Sequence, residues 1–473
     1  MKKKIFWPLD IHLDLHFVTL QPGGLGCNRR LGQAAILGGL LLFVTACNGT
    51  QTSSSGPSIP DPPAASPSAV TTIAQFALVQ PQADQAELTR RYLSSLQDQG
   101  FNSQDQGFWV QNESELLASH QGRVSLPAAS ITKIATTLAA LEKLGPQHRF
   151  QTTLNYQGTL SSGKLLGNLV VSGGADPFFV WEDGIQLANL LETLGIREVT
   201  GNILVTPGFQ MNFETDPLRS GQLLKQAMDQ SQWSEEASAQ YQTLPPNTPR
   251  PSLEIAGQVQ VIPSPPTDTK LLVRHSSLPL IELLKRMNRY SNNPMADQIA
   301  NYIGGPQMLE STVLRLTGID PEEVSFINGS GLGEENKISA RGASFMLIAL
   351  ANLLESQQYR LGDVITLIGL DEGILDTRPL PEHILVKSGT LDQVSALVGV
   401  IPTQQQGLIW FSMLNSQGDV DRYREHQEQM LRTIIERWGP TQPQANQLQP
   451  TRSGADFTAI NEVLLPPNSQ PGR

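Results

Sequence analysis

The sequence predicts a mixed α/β (α+β) fold, on three observations. Apolar residues recur at helical steps of three and four around Ile131, Ile134, Leu138 and Leu141, around Leu280, Leu284 and Met287, and around Met430, Ile434 and Ile435. Runs of strand length and character lie between them, at 150–156, 168–171, 383–387, 396–401 and 408–414. The last two flank Gln404-Gln405-Gln406-Gly407, which reads as a turn between antiparallel neighbours. A length of 473 residues suggests about three domains, or one large domain carrying an insertion.

The chain opens on a segment with a targeting pattern. Asn28-Arg29-Arg30 precedes an apolar run from Leu31 to Ala46. That run is shorter than the ~20 residues a membrane-spanning helix needs, so residues 1–46 read as a secretory signal. The ending Val44-Thr45-Ala46-Cys47 resembles the bacterial lipoprotein box, in which the cysteine is lipidated and becomes the mature N-terminus. A signal anchor that stays uncleaved is the other reading. Residues 47–74, rich in Ser, Pro, Thr and Ala, form an expected flexible tether.

Folding is expected from about Gln75. Phe108-Trp109-Val110 and Glu115-Leu116-Leu117-Ala118 flank a hairpin signal at Gln111-Asn112-Glu113-Ser114. The helix after Ser130 should stop at Gly145-Pro146. Residues 146–270 then change character and read as an inserted α+β unit. Its strands are expected at 150–156, 168–171 and 199–205, with a helix from Gly184 to Leu194. Its second half, polar and rich in Gln and Pro, is expected to be loop-like. From Ser277 a helix runs to Tyr290, and Pro294 starts the next. Ser339 should cap a helix whose core face includes Phe345, Leu347, Leu350 and Leu354. Residues 441–473 are expected to be disordered, with Phe457 and Val463-Leu464-Leu465 as docking candidates.

Composition excludes several functions. The net charge is -11, and becomes -14 once residues 1–46 are removed, so no nucleic-acid partner is expected. The two cysteines, Cys27 and Cys47, both lie near the N-terminus and leave the body without a disulfide framework or a cysteine zinc site. The seven histidines show no H-E-x-x-H, so neither a metal nor another cofactor is expected.

Three polar triplets carry the candidate chemistry. Ser130 stands at the entrance of a helix and Lys133 follows one turn later on the same face. A serine hydroxyl is a weak nucleophile until a neighbour takes its proton, and a buried amine near other cations can do so. Taken alone, S-x-x-K arises in any amphipathic helix with a capping serine and a surface lysine. Ser291-Asn292-Asn293 lies on a turn between two helices, where it serves either as a cap or as a set of groups facing a cleft. Lys387-Ser388-Gly389 follows a strand. Asn328-Gly329-Ser330-Gly331-Leu332-Gly333 is a Gly-rich turn without the spacing of a phosphate cradle.

Ser130-x-x-Lys133, Ser291-x-Asn293 and Lys387-Ser388-Gly389 occur in the order known from penicillin-binding proteins and serine β-lactamases. With Gly173-Gly174-Ala175-Asp176-Pro177, Met287-Asn288 and Asn328-Gly329-Ser330-Gly331-Leu332, the chain resembles the D-Ala-D-Ala carboxypeptidase/endopeptidase family, the class C low-molecular-mass penicillin-binding proteins. Asp297 stands where that family often has Glu. The resemblance spans about Gln75 to Trp438.

What the resemblance implies is specific. The fold would be a penicillin-binding-protein/β-lactamase-like transpeptidase domain, an antiparallel sheet flanked by helices, formed by 75–145 and 271–440 and split by the smaller domain 146–270. Ser130 would be acylated by peptidoglycan stem peptides or cross-links, with Lys133 as general base. Ser291 would relay a proton to the leaving amine, and Asn293 would hold the substrate amide and Lys133. Lys387 would supply positive potential for the terminal carboxylate, with Ser388, Gly389 and Thr390 binding substrate. The backbone N–H groups of Ser130 and Thr390 would form the oxyanion hole. β-Lactam antibiotics would inhibit, and the protein would sit on the periplasmic side of a bacterial envelope membrane through lipid on Cys47. A β-lactamase-like hydrolase and a non-catalytic envelope binding lipoprotein are the alternatives. A labelled penicillin separates them by a lasting adduct, turnover or no reaction.

Overall fold

A computed structural model of the chain describes residues 86–441, 446–452 and 457–464. The signal, the tether and Cys47 lie outside the described residues.

The central element is a six-stranded antiparallel sheet built from the two ends of the chain. Its strands are β1 (Gln106–Gln111), β2 (Leu116–His120), β13 (Thr366–Leu367), β14 (Leu385–Leu391), β15 (Val394–Thr403) and β16 (Gly407–Asn415), in the order β13-β14-β15-β16-β1-β2. Every residue of β15 is buried, because both faces of the sheet are covered. Alternate side chains serve the two layers. Phe108, Val110 and Leu397 join Leu88, Tyr92, Tyr423 and Leu431 of helices α1 (Ala86–Asp98) and α10 (Val420–Trp438) on one face. Trp109, Val398 and Leu414 meet the opposite layer, made of α2 (Thr132–Leu144), α6 (Leu280–Arg289), α7 (Asn293–Ile303), α8 (Pro306–Thr317) and α9 (Ala340–Ser356). The expected sheet with helices on both faces is therefore present.

α2 runs through the middle of that layer, and its residues 132–141 are all buried. Gly145 ends it at φ 77°, a left-handed stop that a side chain resists. α9 begins as expected, with the Ser339 hydroxyl accepting from Gly342 N at 2.9 Å. A small sheet of β3 (Ser125–Pro127), β11 (Val324–Ser325) and β12 (Lys337–Ser339) delivers the chain to the foot of α2.

The remaining strands form a mixed sheet with its own core. β4 (Gln151–Ser161) and β5 (Lys164–Ser172) make a long hairpin, and β10 (Lys270–Ser276) pairs with β4. β6 (Glu198–Val199) and β7 (Ile203–Val205) run parallel to β5, and β8 (Glu254–Ile255) and β9 (Val259–Val261) run parallel to β6 and β7. α3 (Trp181–Thr193), α4 (Pro217–Ala227) and α5 (Glu235–Tyr241) cover it.

Several details depart from the sequence reading. The strand expected at 199–205 is two strands, because the chain turns at Gly201, where a Cβ would meet Gly167 O at 2.5 Å. The second half of the insertion is not loop-like: Leu224, Met228, Ala237, Leu244 and Leu253 are buried in its core. β10, which lies almost wholly beyond the expected boundary at 270, pairs with β4 of the inserted sheet. Part of the tail expected to be disordered packs onto the body. Leu448 is 3 % exposed among the residues of the α2 layer, and β17 (Ile460–Val463) adds to the free edge of β10.

Candidate active site

The site forms where α2, the α6–α7 turn and β14 converge. Ser130 sits in a short 3-10 turn, Ala129–Ile131, and Ala129 before it is held at φ 45°, an uncommon angle for a residue with a side chain. The turn is pinned by the glycine-rich segment expected merely to be a turn. Gly331 lies so close that a Cβ there would stand 1.8 Å from Ala129 O. Lys133, one helical turn on, points back to the serine. Its Nζ donates to Ser130 Oγ at 2.9 Å, to Asn293 Oδ1 at 2.7 Å and to the Ser330 carbonyl at 2.7 Å.

Lys133 is 0 % exposed. Burial lowers its amine to about 7, against a smaller upward pull from the Asp297 carboxylate. Asp297 is tied to the same turn, accepting from Ser330 N at 2.8 Å. Behind the lysine, Asn288 Nδ2 donates to Thr137 Oγ1 at 2.9 Å and Thr137 Oγ1 to Lys133 O at 2.7 Å, which stitches α6 to α2.

The second serine has a second lysine. Ser291 is held at φ 52° between α6 and α7, and its Oγ accepts from Lys387 Nζ at 3.0 Å. Asn292 caps α7, its Oδ1 accepting from Met295 N at 2.9 Å, and this aims Asn293 at Lys133. Lys387 also donates to Ser388 O at 2.7 Å and is 1 % exposed. Burial, and then the nearby Lys133, push its ammonium well below the usual range.

Ser388, Gly389 and Thr390 lie inside β14 rather than after it. Ser388 is buried and Thr390 exposed. β14 passes beside the serine turn: a Cβ on Gly389 would stand 2.9 Å from both Ala128 O and Ser130 N. Sequence reasoning left out Ser330, whose carbonyl is a lysine acceptor, and gave Asp297 no role. The glycine pattern 329–331 was the available signal for the first.

A serine bonded to a buried amine at the foot of a core helix, beside an antiparallel sheet with helices on both faces, is the architecture of the penicillin-binding-protein and β-lactamase-like hydrolases. Within that class the chain belongs to the D-Ala-D-Ala carboxypeptidase 3 (S13) family, whose profile matches residues 90–210 and 241–436. It is 22% identical over 385 residues to the D-alanyl-D-alanine carboxypeptidase DacB of Haemophilus influenzae, covering 61% of this chain and 80% of that one. It is 24% identical over 339 residues to the carboxypeptidase DacB of Mycolicibacterium smegmatis, covering 62% and 72%. A penicillin G-acylated predatory endopeptidase of Bdellovibrio bacteriovorus has a similar fold, with TM-score 0.58, 20% identity and coverage of 75% and 98%. The expected family, fold class and serine-peptidase activity are borne out.

Proposed function

We propose that Ser130 is the nucleophile of a D-Ala-D-Ala carboxypeptidase/endopeptidase acting on peptidoglycan stem peptides or cross-links. The observation that carries this is the 2.9 Å bond between Ser130 Oγ and the buried Lys133 amine, whose proton affinity burial lowers to about 7. A neutral Lys133 takes the hydroxyl proton as Oγ attacks the carbonyl of the penultimate D-Ala. Asn293 and the Ser330 carbonyl fix the amine so that its lone pair has one proton within reach. The oxyanion would be met by the backbone N–H groups of Ser130 and Thr390, each worth roughly 3 kcal/mol by analogy with other such sites. As the C–N bond breaks, the leaving amine collects a proton through Ser291, which Lys387 holds in place. Water then hydrolyses the ester on Ser130.

Labelling with a fluorescent penicillin tests the reading. A lasting adduct mapped to Ser130 is expected, together with release of D-Ala from a D-Ala-D-Ala peptide. Rapid turnover of the penicillin would point to a β-lactamase, and no reaction to a binding protein. The bacterial envelope is the location we infer, with Cys47 as lipid anchor. Several acyl chains on one residue hold a protein stably where a single chain does not. A Cys47→Ala protein should leave the membrane fraction of its native host, and retention at unchanged mass would place the anchor elsewhere.

A further inference from the structure

Two of the three acceptors around the Lys133 amine are side chains of the polar triplets, and the third is the main-chain carbonyl of Ser330. An amine that has lost one proton keeps two N–H groups. With those directed at Asn293 Oδ1 and Ser330 O, its lone pair faces Ser130 Oγ. The direction of that lone pair thus depends on where a loop carbonyl stands. The loop runs at the surface, outside any helix or strand, and Ile327 and Leu332 on either side of Ser330 are 53% and 59% exposed. Such backbone moves unless something ties it down.

Asn336 is the tie. Its side chain lies under the loop, 0% exposed, and its amide holds both ends. Oδ1 accepts from Ile327 N at 3.0 Å and from Asn328 N at 3.3 Å, while Nδ2 donates to Leu332 O at 3.1 Å and to Gly333 O at 3.2 Å. Its own carbonyl accepts from Ala128 N at 2.8 Å, two residues before Ser130. One residue outside the three triplets therefore joins the loop that carries Ser330 to the turn that carries the serine. The pattern needs two donors and two acceptor lone pairs in one short planar group. Aspartate has no donor, a hydroxyl has one, and glutamine adds a methylene to a closed site.

We propose that Asn336 is a positioning residue for Lys133, acting through the Ser330 carbonyl. The proposal rests on the Ser130 reading above and deepens it. Without the clasp the carbonyl drifts, an N–H of Lys133 turns toward Ser130 Oγ, and the lone pair turns away. Proton transfer slows, while the non-covalent seating of a β-lactam is unchanged.

The experiment follows acylation by benzylpenicillin before steady state, separating the dissociation constant of the non-covalent complex from the acylation rate. It uses the wild type, Asn336→Ala, Asn336→Ser, Lys133→Arg and the double variant Lys133→Arg/Asn336→Ala. Asn336→Ala should lower the acylation rate at least ~10-fold, as a small misplacement of a reacting group does, with the dissociation constant within ~2-fold of wild type. Asn336→Ser keeps one donor and one acceptor and should fall between; it makes the same comparison, alone and with Lys133→Arg, if the alanine variant does not fold. In the Lys133→Arg background the change at Asn336 should have no further effect, because the group it positions is gone. An unchanged rate, or an equal loss in both backgrounds, overturns the proposal and leaves the Ser130 chemistry standing. A wild type that is not acylated at Ser130 overturns both readings.

Discussion

At the level of single residues, the chemistry turns on how burial divides two lysines. Lys133→Arg keeps charge and bulk but has no accessible neutral form, so acylation by penicillin should fall at least ~100-fold with little change in melting temperature. A folded variant within a few-fold of wild type would make Lys133 a bystander. The wild-type rate should decline as pH falls through about 7, where Lys133 gains its proton. Asp297 raises that value, so Asp297→Asn should move the acid limb to lower pH, and a limb that stays put or rises would remove Asp297 from the site. Ser130, Lys133, Ser291, Asn293 and Lys387 were legible because each belongs to a short motif whose spacing has a local meaning. Ser330 was not, because it contributes only a backbone carbonyl.

Among elements, the α6–α7 turn is the joint on which the site depends. Removing its cap by Asn292→Ala should cost about 1 kcal/mol of stability, the usual value for such a cap, and loosen both Ser291 and Asn293. Denaturant unfolding beside acylation kinetics checks it, and a stable variant with a slower rate would assign Asn292 to positioning alone. The long helices could be read from periodicity, since α2 and α9 carry near-continuous apolar faces. α4 and α5 could not. Only Ser220, Gly221, Leu224 and Ala227 of α4 are buried, and only Ala237 of α5, so tertiary contacts make their case rather than pattern. At Gly221 the fit to the sheet is so close that a Cβ would stand 2.5 Å from Val259.

Across the whole molecule, the tail ties two cores together. Leu448 enters the layer around α9, Thr451 N donates to Asp363 at 2.8 Å, and Asn461 meets the buried His275 at 2.8 Å beside the β17–β10 pairing. Ending the chain at residue 445 should lower stability by at least the ~2–5 kcal/mol typical of emptying one buried leucine site. An unchanged thermal midpoint would make the tail dispensable.

The central sheet closes by pairing β1 with β16, and Asn415 Nδ2 donates to Gln106 Oε1 across 309 positions of sequence. Contacts that distant form late, because the loop between them must be closed before they give anything back. The helix that carries Ser130 is among the first segments made, yet the strand that flanks the serine, β14, and the strand that completes the sheet, β16, are among the last. On the proposed reading, a chain cut short before β16 lacks the strand that closes the sheet around that site, and acylation by penicillin is expected only from chains made almost to the end.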